Sequence, residues 1–123
     1  MDQALEDLTS AQVLLKAGRF YLVCFMAHQI AEKAVKAYLY AVGDEVVIGH
    51  SIEQLTRRAA QHDPEFGRLR EQVSILDTYY IPTRYPNGLP DGIPATAYNR
   101  EAAESATRLA QTVTEFIGQR LKP

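Results

Sequence analysis

Residues 20–43 read FYLVCFMAHQIAEKAVKAYLYAVG, and this stretch decides the fold. Its apolar residues recur three and four positions apart, which is the spacing of one face of an α-helix. The stripe is formed by Val23, Ala27, Ile30, Ala34, Ala37 and Ala41. A helix with so much apolar surface is typical of the centre of a helical bundle. We therefore predict one long central helix over about residues 20–42.

The segments on either side of the central helix also show helical periodicity. We predict helices over about residues 2–17, 52–62, 64–80 and 99–121. Gly18 and Gly43 stand where two of these helices end, and Ser51 and Asn99 stand where two others begin, as residues that cap helices do. No segment alternates in the manner of a β-strand. The predicted fold class is all-α: an up-and-down four-helix bundle with one additional short helix.

Residues 81–98 interrupt the helical pattern before the last helix. Prolines occupy every fourth position, at Pro82, Pro86, Pro90 and Pro94, and two glycines lie between them. Proline in the second position of four-residue turns is common. We predict a long Pro/Gly-rich loop here, and loops of this length in a compact domain are usually functional.

Composition sets the class of protein. The 123 residues suit a single domain, over 1–123, and 46% hydrophobic with 23% charged residues is an ordinary globular mixture. A net charge of −2 excludes attraction of nucleic acid by the whole surface. One cysteine, Cys24, excludes an internal disulfide and a cysteine-based zinc site. The acidic start and the lack of a long apolar run predict a cytoplasmic protein.

The densest group of chemically capable side chains is the segment DTYYIPTRYP at 77–86. Tyr79, Tyr80 and Tyr85 offer stacking surfaces and hydroxyl groups, and Arg84 offers a planar fork suited to phosphate or carboxylate. Asp77 is placed to hold that fork. A structural alternative is equally open: the tyrosines line the core edge, and Arg84 pairs with Asp77 to pin the loop.

Two histidines raise the question of a metal or ligand site. His28 and Glu32 lie four residues apart on one helical face, but a metal needs three or four ligands. We expect Glu32 to pair with Lys36 instead, four residues further on. His50 precedes the Ser51 cap and has either a structural or a ligand-binding role. Phosphate-binding glycine motifs are absent, and we predict no metal and no cofactor.

Four fragments in order resemble the HEPN domain (higher eukaryotes and prokaryotes nucleotide-binding). They are HQIAEKAVKAYLYAVG at 28–43, HSIEQL at 50–55, LDTYYIPTRYP at 76–86 and AAESATRLA at 102–110. The resemblance covers nearly the whole chain. It implies a bundle of four long helices plus a short one, and usually a homodimer.

The resemblance also implies two kinds of activity. Many members are metal-independent RNases, in which an Arg and a His separated by four to six residues meet their counterparts across the dimer cleft. Other members lack that motif and bind nucleotides or act as scaffolds. Bacterial and archaeal members often work with a minimal nucleotidyltransferase in toxin–antitoxin or related systems, so such a partner is possible here.

The RNase motif is missing at the position where it is expected. Counting from Arg84, the histidine positions hold Leu89, Pro90 and Asp91. A literal match occurs only at Arg57 and His62. On one continuous helix, residues five apart point about 140° away from each other, so these two form a weak catalytic pair.

We therefore expect a nucleotide-binding or partner-binding HEPN protein. The residues implied in nucleotide or phosphate binding are Arg84, Tyr79, Tyr85, Lys33, Lys36, Asp77 and His50. Two alternatives stay open. One is a metal-independent RNase toxin that uses His50 or His62 as its base, and the other is a non-catalytic dimeric scaffold. The apolar excess of the second helix also predicts a homodimer.

Overall fold

The computed structural model describes residues 1–80 and 98–122, and within these ranges the chain is all-α. The five α-helices are α1 (Asp2–Lys16), α2 (Phe20–Ala41), α3 (Ile52–Ala59), α4 (Phe66–Val73) and α5 (Arg100–Arg120). A 3₁₀ helix, Ser74–Tyr79, continues directly from α4. The all-α prediction is confirmed. The Pro/Gly-rich loop, with Arg84 and Tyr85, lies almost entirely outside the described residues.

Helix α2 is the centre of the bundle, as its apolar pattern predicts. It packs most extensively against α5, and also against α1, α3 and the 3₁₀ helix. Its buried side chains are Val23, Cys24, Ala27, His28, Ile30, Ala31, Glu32, Ala34, Val35, Tyr38 and Leu39. The apolar excess of α2 is thus covered within one chain, so it no longer argues for a dimer.

Small residues allow the long helices to approach closely, and aromatic rings fill the space at one end. Ala103, Ala106 and Ala110 of α5 are fully buried or nearly so. Phe66 at the start of α4 packs on Tyr38 and Phe116, with ring centroids 4.6 Å and 4.8 Å away. Such aromatic pairs stabilise a core beyond the area they bury. They attach α4 to the α2–α5 pair.

The helix ends follow the sequence signals. Ser51 Oγ accepts a hydrogen bond from the Gln54 amide at 3.1 Å, and Asn99 Oδ1 accepts one from the Ala102 amide at 2.8 Å. Gly18 has φ +78° after α1, a left-handed conformation that glycine adopts without strain. Gly43 after α2 likewise has φ +102°, so all four predicted caps are confirmed.

Two predicted details of the helices are wrong. The fourth helix ends at Val73 rather than Tyr80, because the chain tightens into the 3₁₀ helix that follows. The helical spacing of the first helix puts Leu5 on the apolar face with Leu8, Ala11 and Leu15, but Leu5 is 45% exposed, and Ala4 takes the buried position instead. The second error arises because the apolar residues at positions 4 and 5 suit neighbouring faces of the helix, and only packing selects between them.

No helix in the described ranges is both long enough and apolar enough to span a bilayer.

Candidate functional site

Three separate parts of the chain meet beside the C-terminal half of α2. Helix α2 supplies Glu32 and Lys36, and the connection to α3 supplies His50. The 3₁₀ helix and the residue after it supply Asp77 and Tyr80. We call these five residues the His50 site. Packing of the 3₁₀ helix on both α2 and α3 brings them together.

Glu32 is the buried carboxylate of the His50 site. Its Oε1 lies 3.1 Å from His50 Nδ1, and its Oε2 accepts a hydrogen bond from Lys36 Nζ at 3.1 Å. The residue is only 7% exposed. A buried charge needs both Coulombic and hydrogen-bonded partners, and here each oxygen has one. The predicted Glu32–Lys36 pair is confirmed, and His50 is a second partner that the sequence did not reveal.

The His50 side chain presents its other edge to solvent. It is 55% exposed, and its ring stacks on Tyr80 with centroids 5.0 Å apart and planes 13° apart. With Nδ1 turned to Glu32, the nitrogen on the opposite side of the ring is Nε2. No hydrogen bond of Nε2 to another described residue is present. Two contacts therefore hold the ring in place and leave one polar atom for a ligand.

Asp77 caps the N-terminus of α3. Its carboxylate accepts hydrogen bonds from the Ile52 amide at 2.6 Å, the Glu53 amide at 3.0 Å and Ser51 Oγ at 3.1 Å. These amides lack partners within the helix, and the helix dipole favours a negative charge at this end. A carboxylate three positions before Tyr80 thus ties the 3₁₀ helix to α3. The predicted contact of Asp77 with Arg84 lies outside the described residues.

His28 lies under the site and is completely buried. Its Nδ1 lies 3.2 Å from the side-chain amide nitrogen of Gln29. Nε2 is 3.3 Å from Asp77 Oδ1 but out of line for a hydrogen bond. Burial lowers the pKa of His28, and the nearby carboxylates of Asp77 and Glu32 oppose that shift only in part. The ring is neutral near pH 7.

Two of the predicted binding residues lie elsewhere. Lys33 points to α1, where its Nζ is 2.5 Å from Asp7 Oδ2. Tyr79 packs against the core, with its ring centroid 6.0 Å from that of Tyr98. Burial raises the pKa of Tyr79. Neither side chain belongs to the His50 site, whereas Tyr80, which is absent from the predicted set of binding residues, does.

Arg57 and His62 have different partners. Arg57 pairs with Glu53 one turn earlier on the same helix. His62 Nε2 lies 3.3 Å from Asp44 Oδ1, and Asp44 Oδ2 also accepts a hydrogen bond from Arg58 at 2.9 Å. The structure therefore brings Arg58, not Arg57, next to His62.

The other reactive groups have structural surroundings. Burial raises the pKa of the Cys24 thiol to about 11, which makes it a core residue of low reactivity, as predicted. Among residues 1–80 and 98–122, no three His, Cys, Asp or Glu side chains form a group suited to a metal ion. Glu32 uses its carboxylate on Lys36 and His50, so His28 and Glu32 do not act as a ligand pair.

The sequence carries only weak signals that Glu32, His50 and Tyr80 come together. Glu32 and His50 are 18 positions apart, and His50 and Tyr80 are 30 apart. Nothing in local periodicity links residues at such separations. The order of the three motifs that contain Glu32, His50 and Tyr80 was the only available indication that these residues belong together.

Comparison with known proteins agrees with this architecture. The family model described as HEPN domain matches residues 1–121. The solved structure of ST0689, an archaeal HEPN homologue, is 30% identical with a TM-score of 0.77, over 98% of this chain and 93% of that one. TT1696 from Thermus thermophilus is 40% identical with a TM-score of 0.76, over 98% and 94% of the two chains. No curated protein matches the chain significantly.

A family model over almost the entire chain and two similar structures lead to the same conclusion: this protein is a member of the HEPN domain family.

Proposed function

We propose that the protein binds the phosphate of a nucleotide at the His50 site, without chemistry of its own. The observation that carries the proposal is the exposed edge of His50. The ring is held by the buried Glu32 carboxylate and by the Tyr80 ring. An imidazolium ring donates from both nitrogens, so Nε2 can bind a phosphate oxygen while Nδ1 faces Glu32.

The two carboxylates of the site do not oppose this role. Glu32 is paired with Lys36 and His50, and Asp77 accepts three hydrogen bonds at the start of α3. Their charges are therefore balanced by groups of the protein. Arg84 follows Tyr80 by four positions in the sequence. We propose it as a second phosphate-binding group, in agreement with the resemblance.

Calorimetric titration with AMP, ATP, GMP and GTP tests the proposal. The wild type should release or absorb heat at millimolar ligand, and His50→Ala should weaken binding at least tenfold. His62→Ala is the matched control, since His62 also faces a carboxylate but lies outside the site. The proposed site is contradicted if the wild type gives no heat of binding at millimolar ligand. It is also contradicted if His50→Ala binds the ligand with the same affinity as the wild type.

An RNase activity is the second candidate, and the geometry favours it less. General base catalysis requires a group within hydrogen-bond reach of the 2′-hydroxyl, together with a means of stabilising the phosphate. Arg57 and His62 are engaged by different carboxylates. Incubation of single-stranded RNA with the protein in EDTA tests this activity, and cleavage lost in His50→Ala or His62→Ala would establish it.

We further propose a role as the helical component of a system that includes a minimal nucleotidyltransferase. The support is membership of the HEPN family, some of whose members have such partners. Co-purification from the native cell with a second polypeptide of that class is the expected result. Isolation of the chain alone under the same conditions argues against the pairing.

A further inference from the structure

A cleft of about 430 Å³ lies at the N-terminal end of α2 and shares no residue with the His50 site. Its lining residues are Gly18, Arg19, Phe20, Tyr21, Leu22 and Tyr98. Glu32, the α2 residue that contacts His50, comes well after Phe20 in the same helix. At the rise of an α-helix, the two positions are about 18 Å apart. The cleft is therefore a separate feature of the molecule.

The first turn of α2 presents backbone N–H groups to this cleft. Arg19, which precedes the helix, makes no side-chain capping hydrogen bond, and no acidic residue lies in the first turn. The Val23 amide is the first to bond, to the Arg19 carbonyl, so the amides of residues 20–22 have no acceptor among the described residues. Helices α3 and α5, by contrast, begin with side-chain caps. Free amides and the positive end of the helix dipole favour an anion at the start of α2.

Two arginines add positive charge at the same place. Arg19 lines the cleft, and the Arg100 guanidinium lies 4.9 Å from the centre of the Phe20 ring, which also lines it. Neither arginine takes part in an ion pair between described residues. Arg100 also begins α5, so the positive end of a second helix dipole lies here. Glu101 offsets part of the charge at the start of α5, whereas the first turn of α2 has no such group.

Tyr98 in the lining of the cleft is an independent observation that points to a ligand. The residue is only 6% exposed, and its hydroxyl is buried without a hydrogen-bond partner among the described residues. Its ring packs edge-on against Tyr21, with centroids 5.1 Å apart. Burial raises the pKa of Tyr98, so the hydroxyl keeps its proton and is a donor. A buried donor without an acceptor costs free energy, and an oxygen atom of a bound anion would supply the missing acceptor.

We propose that this cleft binds a phosphate group, held by the amides of residues 20–22, the Arg19 and Arg100 guanidinium groups and the Tyr98 hydroxyl. The planar fork of a guanidinium suits phosphate, whose several oxygens can accept hydrogen bonds from all these donors. The volume of the cleft lies in the range of roughly 300–1,000 Å³ that small-molecule sites have. The phosphate is therefore either a free ion or part of an organic monoester. This proposal does not rest on the proposed function.

Titration of the ¹⁵N-labelled protein with inorganic phosphate, followed residue by residue by NMR, tests the proposal. The amide signals of residues 20–22 should shift together and reach saturation at millimolar phosphate. Arg19→Gln and Arg100→Gln should each raise the dissociation constant at least threefold, because each removes a positive charge from the site. Arg108→Gln is the matched control, since Arg108 is exposed on α5 more than two helical turns after Arg100. It should bind phosphate like the wild type.

Tyr98→Phe tests the hydroxyl alone, because it keeps the ring that packs against Tyr21. It should weaken phosphate binding while leaving the protein folded. Phenyl phosphate identifies the source of the phosphate: tighter binding than inorganic phosphate indicates a monoester, and equal binding indicates the free ion.

His50→Ala separates this cleft from the His50 site. It should leave the phosphate-dependent shifts of residues 20–22 unchanged, whatever its effect on nucleotide binding. The proposal is overturned if these amides show no saturable shift at tens of millimolar phosphate. It is also overturned if Arg19→Gln, Arg100→Gln and Tyr98→Phe all bind phosphate as tightly as the wild type.

Discussion

His50 Nδ1 lies 3.1 Å from Glu32 Oε1, although the two residues are 18 positions apart in the chain. The contact joins the central helix to the connection before α3. It orients the one exposed imidazole edge of the His50 site, and it gives a buried carboxylate a partner. Ligand binding and stability are therefore linked at this point, and the first prediction follows from it.

Replacing Glu32 by alanine should lower the free energy of unfolding by about 1–3 kcal/mol, because Lys36 and His50 then lose their shared partner. Chemical denaturation measures the change. Glu115→Ala is the control, since Glu115 is an exposed glutamate on α5. A loss no larger than in that control would show that the pair contributes little to stability.

Asp77→Ala should destabilise the protein by about 2 kcal/mol, more than Ser51→Ala, because Asp77 accepts two backbone amides of α3 in addition to the Ser51 hydroxyl. Urea denaturation of both single variants and the double variant checks this. The two effects should not add, since the side chains bond each other. Additive losses would mean that the two residues act independently.

Stability should decrease as the pH falls below about 6.5, the ordinary pKa of histidine, and His28 should be a cause. Burial lowers the pKa of His28 in the folded protein, so the unfolded chain binds the proton more tightly. The stabilisation is complete above the unfolded pKa and is lost as the pH falls toward the folded one. One proton changes stability by at most about 1.4 kcal/mol per pH unit.

Denaturation of the wild type and His28→Gln at pH 7.5 and pH 5.5 measures this contribution. The glutamine variant should show a smaller difference between the two pH values. His50 and His62 remain in both proteins, so their contributions cancel in the comparison. An equal pH dependence of the two proteins would exclude His28 as the source.

Arg120 at the end of α5 should be difficult to replace. Its Nε donates to Asp63 Oδ2 at 2.8 Å, it pairs with Glu65, and its guanidinium lies 3.5 Å from the centre of the Phe116 ring. A lysine keeps the charge but neither the planar fork nor the stacking. Arg120→Lys should therefore cost nearly as much as Arg120→Ala, about 1–2 kcal/mol, as measured by denaturation.

The contact between Asp63 and Arg120 should also affect how the protein unfolds in acid. Hydrogen bonds from the Glu65 amide and from Arg120 lower the pKa of Asp63 in the folded protein. Its stabilisation is present above the ordinary aspartate pKa, near 4, and is lost as the pH falls through the lower folded pKa. Below about pH 4, the free energy of unfolding of Asp63→Asn should therefore decrease less with falling pH than that of the wild type. An unchanged acid transition would contradict this assignment.

The elements could be predicted from the sequence more fully than the site. The stripe on α2 and the caps at Ser51 and Asn99 act within one or two helical turns, so they are visible as local patterns. The Glu32–Lys36 pair was predictable for the same reason, because it spans four residues. The burial of Glu32 was not predictable in the same way, since burial depends on what packs over the residue.

The predicted binding residues show which contacts cannot be predicted from local sequence patterns. Lys33 and Lys36 are three positions apart, yet one pairs with Asp7 on α1 and the other with Glu32. Tyr79 and Tyr80 are adjacent, yet one packs on the core and the other on His50. Neighbours on a helix or at its end differ in direction, and the surrounding elements decide which direction leads to a site.

By itself, the sequence determined that this protein is a helical bundle around residues 20–42, and its ordered motifs indicated the HEPN family. Those properties depend on hydrophobic spacing and capping, which are local. The tertiary structure decided that His50 meets Glu32, that Asp77 caps α3 and that Val46 and Ile48 stay exposed. Such contacts join residues far apart in the chain, and they form only when packing brings the elements together.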